Sequence, residues 1–328
     1  MTFMEKEIKE EPTAIKNTLL NITSKTEEVA KLIESTPFVI ISGSGTSFHA
    51  GNILQLSLMK LGIPAMVIRS PELVYYLSNS FKDKPIILLL SQSGESKDIL
   101  DCLSISRKLG IRVIGISNEA ESNLIKNSDI GIATVAGREV SVAATKSFVA
   151  QLTTIYSLIS KIKQSKVDNE IDKLLKWMEK FSSDFSFFAK TSNVIKKKVV
   201  ILGNGFLNPI AMEGALKLKE TSNLLTEAYN LKEYLHGPIQ TLDKETTVIM
   251  LGDELLENTD IVEKIRMYAY NIIKIGESEG DDIKVLSTNE ELKAIAYVVP
   301  LQILACLKTL ELGLNPDRPS KLSKVVKI

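Results

Sequence analysis

The residues able to do chemistry fall in six segments. Two are hydroxyl-rich turns, Ser44-Gly45-Thr46-Ser47 and Ser91-Gln92-Ser93-Gly94-Glu95-Ser96, each set between an apolar run and a helix-like stretch. A helix N-terminus offers unpaired amides and a partial positive charge, and hydroxyls add neutral donors. One such turn reads as ordinary N-capping. Two together, with glycines that let the backbone come close, are expected to surround a small phosphate without arginine. Neither has the Gly-x-x-x-x-Gly-Lys-Ser/Thr spacing of a nucleotide loop, and Gly43-Ser44-Gly45 lacks the third glycine of a dinucleotide motif.

The third segment, Gly137-Arg-Glu-Val-Ser-Val-Ala-Ala-Thr-Lys-Ser147, is a loop of small and hydroxyl residues entering a helix, which alone reads as a capped helix start. The fourth carries Glu213, Lys217 and Glu220 at i, i+4 and i+7, on one helix face. A solvated charged face is the ordinary alternative there. The fifth, Leu235-His236-Gly237-Pro238, places a His in a loop, where a functional His and an incidental surface turn weigh about evenly. Last comes the tail, Asn315 to Ile328, whose prolines and Val325-Val326 suggest a packed, extended segment that ties Lys324 in place.

The elements that must position these residues alternate. Residues 1–36 read as helix, with Pro12 in a first turn and Ser24-x-x-Glu27 as a capping box. Strands are expected at 38–41, 64–68, 86–90, 112–116 and 129–135, with helices at 48–61 and up to Leu109. Their unbroken apolar runs are those of parallel strands covered on both faces. Residues 146–196 read as mostly helical, with a polar connection at 164–172. The scheme then restarts. Val39–Gly45 parallels Val199–Gly205, Ile87–Ser91 parallels Val248–Gly252, and Val113–Ser117 parallels Ile272–Gly276, at offsets of 160, 161 and 159. The fold class is therefore α/β, with two doubly wound parallel-sheet domains in tandem. The second copy has Gly252-Asp-Glu-Leu-Leu where the first has its hydroxyl loop, so the first is the expected anion binder. The domains are placed at 37–160 and 197–310, with a helical segment at 1–36, a connection at 161–196 and a tail at 311–328.

Composition narrows the chemistry. The chain has 328 residues, 40 basic and 40 acidic side chains, two Cys and two His. Zero net charge gives no general pull on nucleic acid or anionic membrane. Hydrophobic residues at 44% and charged ones at 24% exclude wholesale disorder. Cys102 and Cys306 sit in apolar helical stretches as core thiols, and with His49 and His236 they are too few for a Cys- or His-rich metal site. No signal peptide and no stretch of about 20 apolar residues is expected, which points to a soluble, cytoplasmic protein. Catalysis must then rely on Lys, Glu, hydroxyls, backbone amides and one or two His.

Together the motifs Gly45-Thr-Ser47, Ser91-Gln-Ser-Gly-Glu95, Glu213-Gly-Ala-Leu-Lys-Leu-Lys-Glu220 and His236-Gly-Pro238 resemble the tandem sugar-isomerase-domain family over nearly the whole chain. The pattern is similar to the isomerase half of glucosamine-6-phosphate synthase and to stand-alone archaeal glucosamine-6-phosphate deaminases. The resemblance implies a sugar-phosphate substrate, no cofactor and no metal. It implies phosphate binding by Thr46, Ser91, Gln92, Ser93 and Ser96, and sugar contacts from Ser47, Val142 and Ala144. Glu220 matches the base that moves a proton between C1 and C2, with Lys217 and Glu213 beside it. His236 matches a ring-opening His that reaches the partner subunit's site in a homodimer. Lys324 matches the Lys that forms a Schiff base with the ketose, with burial or a neighbouring cation expected to free its amine. Three positions depart from the synthases: Ser44 replaces a Cys, Ala144 a Ser, and Leu235 the Lys before His236. The chain starts where the isomerase half starts and Met1-Thr2 offers no N-terminal Cys, so glutamine-dependent amidotransfer by this chain is not expected. The expected activity is a glucosamine-6-phosphate deaminase. An aldose–ketose isomerase or an ammonia-using synthase subunit are the enzyme alternatives, and a sugar-phosphate sensor is the non-enzyme one.

Overall fold

The computed structural model describes residues 1–77, 83–165, 168–253 and 259–325. The chain divides into two compact units. The first comprises Glu10–Glu139, Ala144–Asn169 and Ser323–Ile328; the second comprises Met1–Lys9, Val140–Ala143 and Glu170–Leu322.

In the first unit a long helix α2 (Glu11–Ser35) precedes β1 (Val39–Gly43), α3 (Thr46–Lys60), β2 (Ala65–Arg69), α4 (Ser70–Tyr76), β3 (Ile86–Ser91), α5 (Lys97–Lys108), β4 (Arg112–Ser117), α6 (Asn123–Asn127) and β5 (Ile130–Ala133). A loop then leads to α7 (Lys146–Ile162). The five strands are parallel in the order β2-β1-β3-β4-β5. Central β1 and β3 are buried at every residue, as their unbroken apolar runs require. β2 lies at the edge and stays partly exposed. Ile40, Ile87, Leu89 and Val113 pack on one face against Cys102 and Leu103 of α5. Burial of such side chains contributes roughly 1.5–3 kcal/mol each. On the other side α7, buried from Lys146 to Ser160, packs against α2 and α3. Ser24 lies inside α2, so the expected capping box does not start a helix; the turn at Glu10, with Pro12 just beyond it, does. Position 12 asks for no amide from the proline, whereas an interior Ser in an apolar-faced helix is held helical by its packed neighbours.

The second unit begins with α1 (Phe3–Lys9) and continues with α8 (Asp168–Phe181), which belongs to it from Glu170, a 3-10 turn at Phe185–Phe188 and α9 (Ala189–Asn193). Of the expected polar connection at 164–172, residues from Asp168 onward are helical, and 166–167 lie outside the described residues. β6 (Lys198–Gly203), α10 (Leu207–Ser222), β7 (Leu225–Tyr229), α11 (Leu231–Leu235), β8 (Thr246–Leu251), α12 (Thr259–Tyr268), β9 (Asn271–Gly276), β10 (Ile283–Lys284) and α13 (Glu290–Glu311) follow. All pairings are parallel, in the order β10-β9-β8-β6-β7. This is the first unit's order, copied. Register repeats as well. Ile40 pairs with Ile87 and Ile87 with Val113; Val200 pairs with Val248 and Val248 with Ile272. Those partners differ by 160, 161 and 159 residues, the offsets of the sequence repeat. α13 is the one described helix whose length and mean hydropathy would let it cross a membrane, although Lys293, Gln302 and Lys308 break its apolar run. Its apolar window is 83% buried inside the protein, where it packs on α10 as a core helix.

Candidate functional site

A doubly wound sheet binds ligands at the carboxyl ends of its strands, where successive crossovers leave in opposite directions. In the first unit that point lies between β1 and β3, because β1 leads to β2 on one side and β3 to β4 on the other. Both hydroxyl turns sit there. Gly43 ends β1, and a side chain there would meet the backbone of Ser47 at 2.9 Å. Gly45, with φ 54°, then turns the chain into α3. Gly94 has φ 64° and sits against the hydroxyls of Ser117 and Ser122. Left-handed backbone of this kind is cheap only for glycine. Thr46 opens α3 and Ser96 caps α5, yet neither helix has a side-chain cap hydrogen bond. Plain N-capping therefore does not account for these hydroxyls. The Ser91 Oγ accepts from the Gly94 amide at 3.0 Å and the Ser93 Oγ from the Glu95 amide at 3.2 Å, which leaves both O–H groups to donate. The Gln92 carbonyl accepts from the Asn118 amide at 3.0 Å and fixes the loop against β4. Glu95 is turned away, chelating the amide and side chain of Asn123 at 2.7 and 2.8 Å. The result is a cradle of hydroxyls and helix-terminal amides suited to a phosphate. Ser47 is buried and accepts from Gln151 Nε2 at 3.0 Å, while Gln151 Oε1 is buried with no hydrogen-bond partner. Gln151, absent from the sequence reading, thus orients Ser47.

The loop before α7 holds a second residue that sequence reasoning did not single out. Glu139 is buried, and its Oε1 accepts from the amides of Thr145 and Ser147 at 2.9 and 3.1 Å. Its Oε2 accepts from Ser147 Oγ at 2.7 Å and from Lys324 Nζ at 2.6 Å. Burial works against its charge, but Lys324 and these donors outweigh burial and hold the carboxyl below its usual range. The tail does tie Lys324 in place as expected. The neighbour differs from the expected cation: it is a carboxylate. Gln92, Ser93, Glu139, Lys324 and Val325 line one cavity of about 640 Å³. Val326 lies outside the described residues. Ala144 is half-buried just before the Thr145 cap of α7.

In the second unit, α10 starts from the corresponding strand end. Gly203 admits the Leu207 carbonyl at 2.4 Å from where a side chain would begin, and Gly205 has φ 52°, matching Gly45. Pro209 and then the charged face follow. Lys217 Nζ lies 2.6 Å from Glu220 Oε2 and 3.2 Å from Glu213 Oε1. Lys217 and Glu213 have no exposed side-chain surface, while Glu220 keeps 21%. That burial is not the solvated charged face of the ordinary alternative, and beside it Gly214 lets Leu301 of α13 approach α10 closely. Burial opposes the Lys217 charge, yet the two carboxylates raise its affinity for the proton above that of a free lysine. A fixed cation thus holds one oxygen of a carboxylate that still reaches the surface. His236 follows α11 and is exposed, its amide bonded to the Glu233 carbonyl at 3.0 Å. Val142 is half-buried, and its amide donates to the Asp317 carbonyl at 3.1 Å.

At the strand ends where the first unit has its cradle, the second carries acid. Asp253 accepts from the Glu277 amide at 2.8 Å and Ser278 Oγ at 2.7 Å, and Asp281 from the Ser278 amide at 2.9 Å. Cys102 and Cys306 are buried, and burial pushes both thiols up to about 12, as core thiols require. Among the described residues no group of three His, Cys, Asp or Glu side chains is placed to hold a metal ion.

Residues 32–161 and 195–310 match the family model described as SIS domain. A glutamine–fructose-6-phosphate aminotransferase (isomerizing) from Sulfolobus acidocaldarius is 33% identical over 345 residues, covering 99% of this chain and 56% of the relative. The chain thus spans about half the length of the curated relatives it matches. Among solved structures, the C-terminal domain of a glucosamine-fructose-6-phosphate aminotransferase from Francisella tularensis superposes with a TM-score of 0.81 at 30% identity, covering 97% of this chain and 98% of that one. A glucosamine-6-phosphate deaminase from Thermotoga maritima gives a TM-score of 0.84 at 26% identity, with all of both chains covered.

Proposed function

We propose that this chain, which belongs to the SIS-domain family, converts glucosamine 6-phosphate to fructose 6-phosphate and ammonia. The observation that carries this reading is the Glu213–Lys217–Glu220 array, in which a buried ammonium holds a partly exposed carboxylate at 2.6 Å. A 1,2-proton shift needs one carboxylate that can take a proton from C2 and return it to C1. Glu220 has the freedom to reach substrate and the fixed partner that keeps it aimed. The hydroxyl cradle supplies phosphate binding, so that remote binding energy positions the reacting carbons.

His236 opens the ring to the aldehyde, in a dimer from the partner subunit. Glu220 removes the C2 proton and delivers it to C1 while a second proton passes from the amine nitrogen to O1, which turns the aldehyde and amine into a C1 alcohol and a C2 imine. Water adds to the imine and ammonia leaves. Lys324 exchanges with that imine or forms it with the ketose.

The full-length match to the Thermotoga maritima deaminase supports this direction. The likeness to aminotransferases supports a second reading, in which ammonia delivered from elsewhere drives the reverse reaction. Purified protein with glucosamine 6-phosphate is expected to release ammonia and fructose 6-phosphate in equal amounts. Absence of both rejects deamination. Amino-sugar formation from fructose 6-phosphate and ammonia, without net release in the other direction, selects the second reading.

A further inference from the structure

Glu139 is a wholly buried acid with a costly position and no role in the chemistry above. Three of its four hydrogen bonds come from the start of α7: the amides of Thr145 and Ser147 and the Ser147 hydroxyl. A carboxylate in that place is favoured by the helix dipole and held without rotational freedom. The fourth comes from Lys324 at 2.6 Å, on a tail segment whose described residues form no helix or strand. Both residues line the cavity that also takes in Gln92 and Ser93 of the cradle.

We propose that Glu139 is the positioning residue of Lys324, fixing its nitrogen beside the phosphate cradle and supplying the counter-charge for the covalent step. The proposal rests on the reading that Lys324 condenses with a ketose. The charge balance explains why an anion belongs there. Lysine ammonium and a ketone give a protonated imine and one water; the C=O bond breaks, a C=N bond forms, and two of the three ammonium protons leave in the water. Positive charge is present on the same nitrogen before and after. A fixed carboxylate therefore pairs with the reactant and the adduct alike, with no proton lost to solvent overall. Attack still passes through the free amine, and Glu139, held ionised by its other donors, keeps the nitrogen in place while that proton is shared.

The experiment is borohydride trapping with fructose 6-phosphate on the full chain, read by mass spectrometry at Lys324, alongside kcat and KM. Wild type is expected to trap. Glu139→Gln, which keeps shape but not charge, is expected to lose at least 10-fold in trapping and kcat while KM changes less than threefold, since the cradle is intact. Glu139→Asp is expected to recover part of the loss. Equal trapping by wild type and Glu139→Gln overturns the proposal and leaves Lys324 chemistry standing. No adduct in wild type overturns the Schiff-base reading itself, and the proposal with it. If Glu139→Gln does not fold, as judged by circular dichroism, Ser147→Ala decides. It removes one donor from Oε2 and leaves Lys324 on that oxygen, and a trapping loss of about threefold supports the proposal, whereas unchanged trapping overturns it.

Discussion

A buried ammonium flanked by two carboxylates is stable only as a set. Lys217 loses its hydration entirely, and Glu213 and Glu220 offset that loss at 3.2 and 2.6 Å. Lys217→Met would leave Glu213 buried without this cation, and removing one partner of such a pair costs about 3–5 kcal/mol. Urea unfolding should show that loss, together with a fall in kcat. Glu220→Gln differs, because Glu220 is partly exposed and Gln can still accept from Lys217. Stability should stay near wild type while kcat drops on the order of 10²–10⁴-fold, the weight of one acid–base group. A Glu220→Gln protein that turns over normally removes it as the base. The pH dependence separates the two residues further. The folded-state proton affinity of Lys217 is raised, so its contribution to stability is complete below its ordinary 10.5 and lost only as pH rises beyond that. A pH–rate profile between 5 and 9 therefore cannot report Lys217. The spacing of this triad was legible in sequence, but its burial was not. Helix-face charges look alike in sequence whether water or packed protein lies above them. Glu139 was hidden for a similar reason: its partner Lys324 lies 185 residues away.

At the scale of elements, the strands stood out because central parallel strands need unbroken apolar runs, and the observed β1, β3 and β4 begin within a residue of their expected positions. The false start at Ser24 shows the limit of local signals, since α2 is held across it by packing on α7. The turns between strand and helix carry the function, and their glycines are the sensitive points. Gly94 has φ 64°, and a side chain there would come within 2.4 Å of Ser122 Oγ and 2.9 Å of Ser117 Oγ. Left-handed backbone costs a non-glycine residue roughly 1–2 kcal/mol. Gly94→Ala should therefore distort the Ser91–Ser96 turn first and the sheet little. The expected result is a KM for the sugar phosphate raised about 10-fold, with inorganic phosphate weakened as a competitive inhibitor to the same degree. An unchanged phosphate inhibition constant would place the anion elsewhere.

The chain carries one fold twice, and what separates the copies is what their strand ends present: hydroxyls and amides in the first, carboxylates that bond the local donors in the second. The repeat was readable because β pairing fixes register, so core residues in both copies must recur at nearly one interval. The divergence was readable only in part, since Asp281 joins Asp253 through a loop whose course no local pattern gives. In the first unit the β1 and β3 ends offer hydroxyls and helix amides. In the second, Asp253 occupies the Glu277 amide and the Ser278 hydroxyl with its own carboxylate, and Asp281 takes the Ser278 amide. Burial, with the nearby Asp253 charge adding to it, raises the Asp281 carboxyl above its ordinary range. An added phosphate would find its donors taken and meet like charge. Amide hydrogen exchange with and without inorganic phosphate reads both units in one experiment. Phosphate should slow exchange in 44–48 and 92–98 and leave 203–208 and 276–278 unchanged. Protection of the second set instead would reverse the assignment of the anion site, and equal protection of both would mean that the two copies had kept a common function.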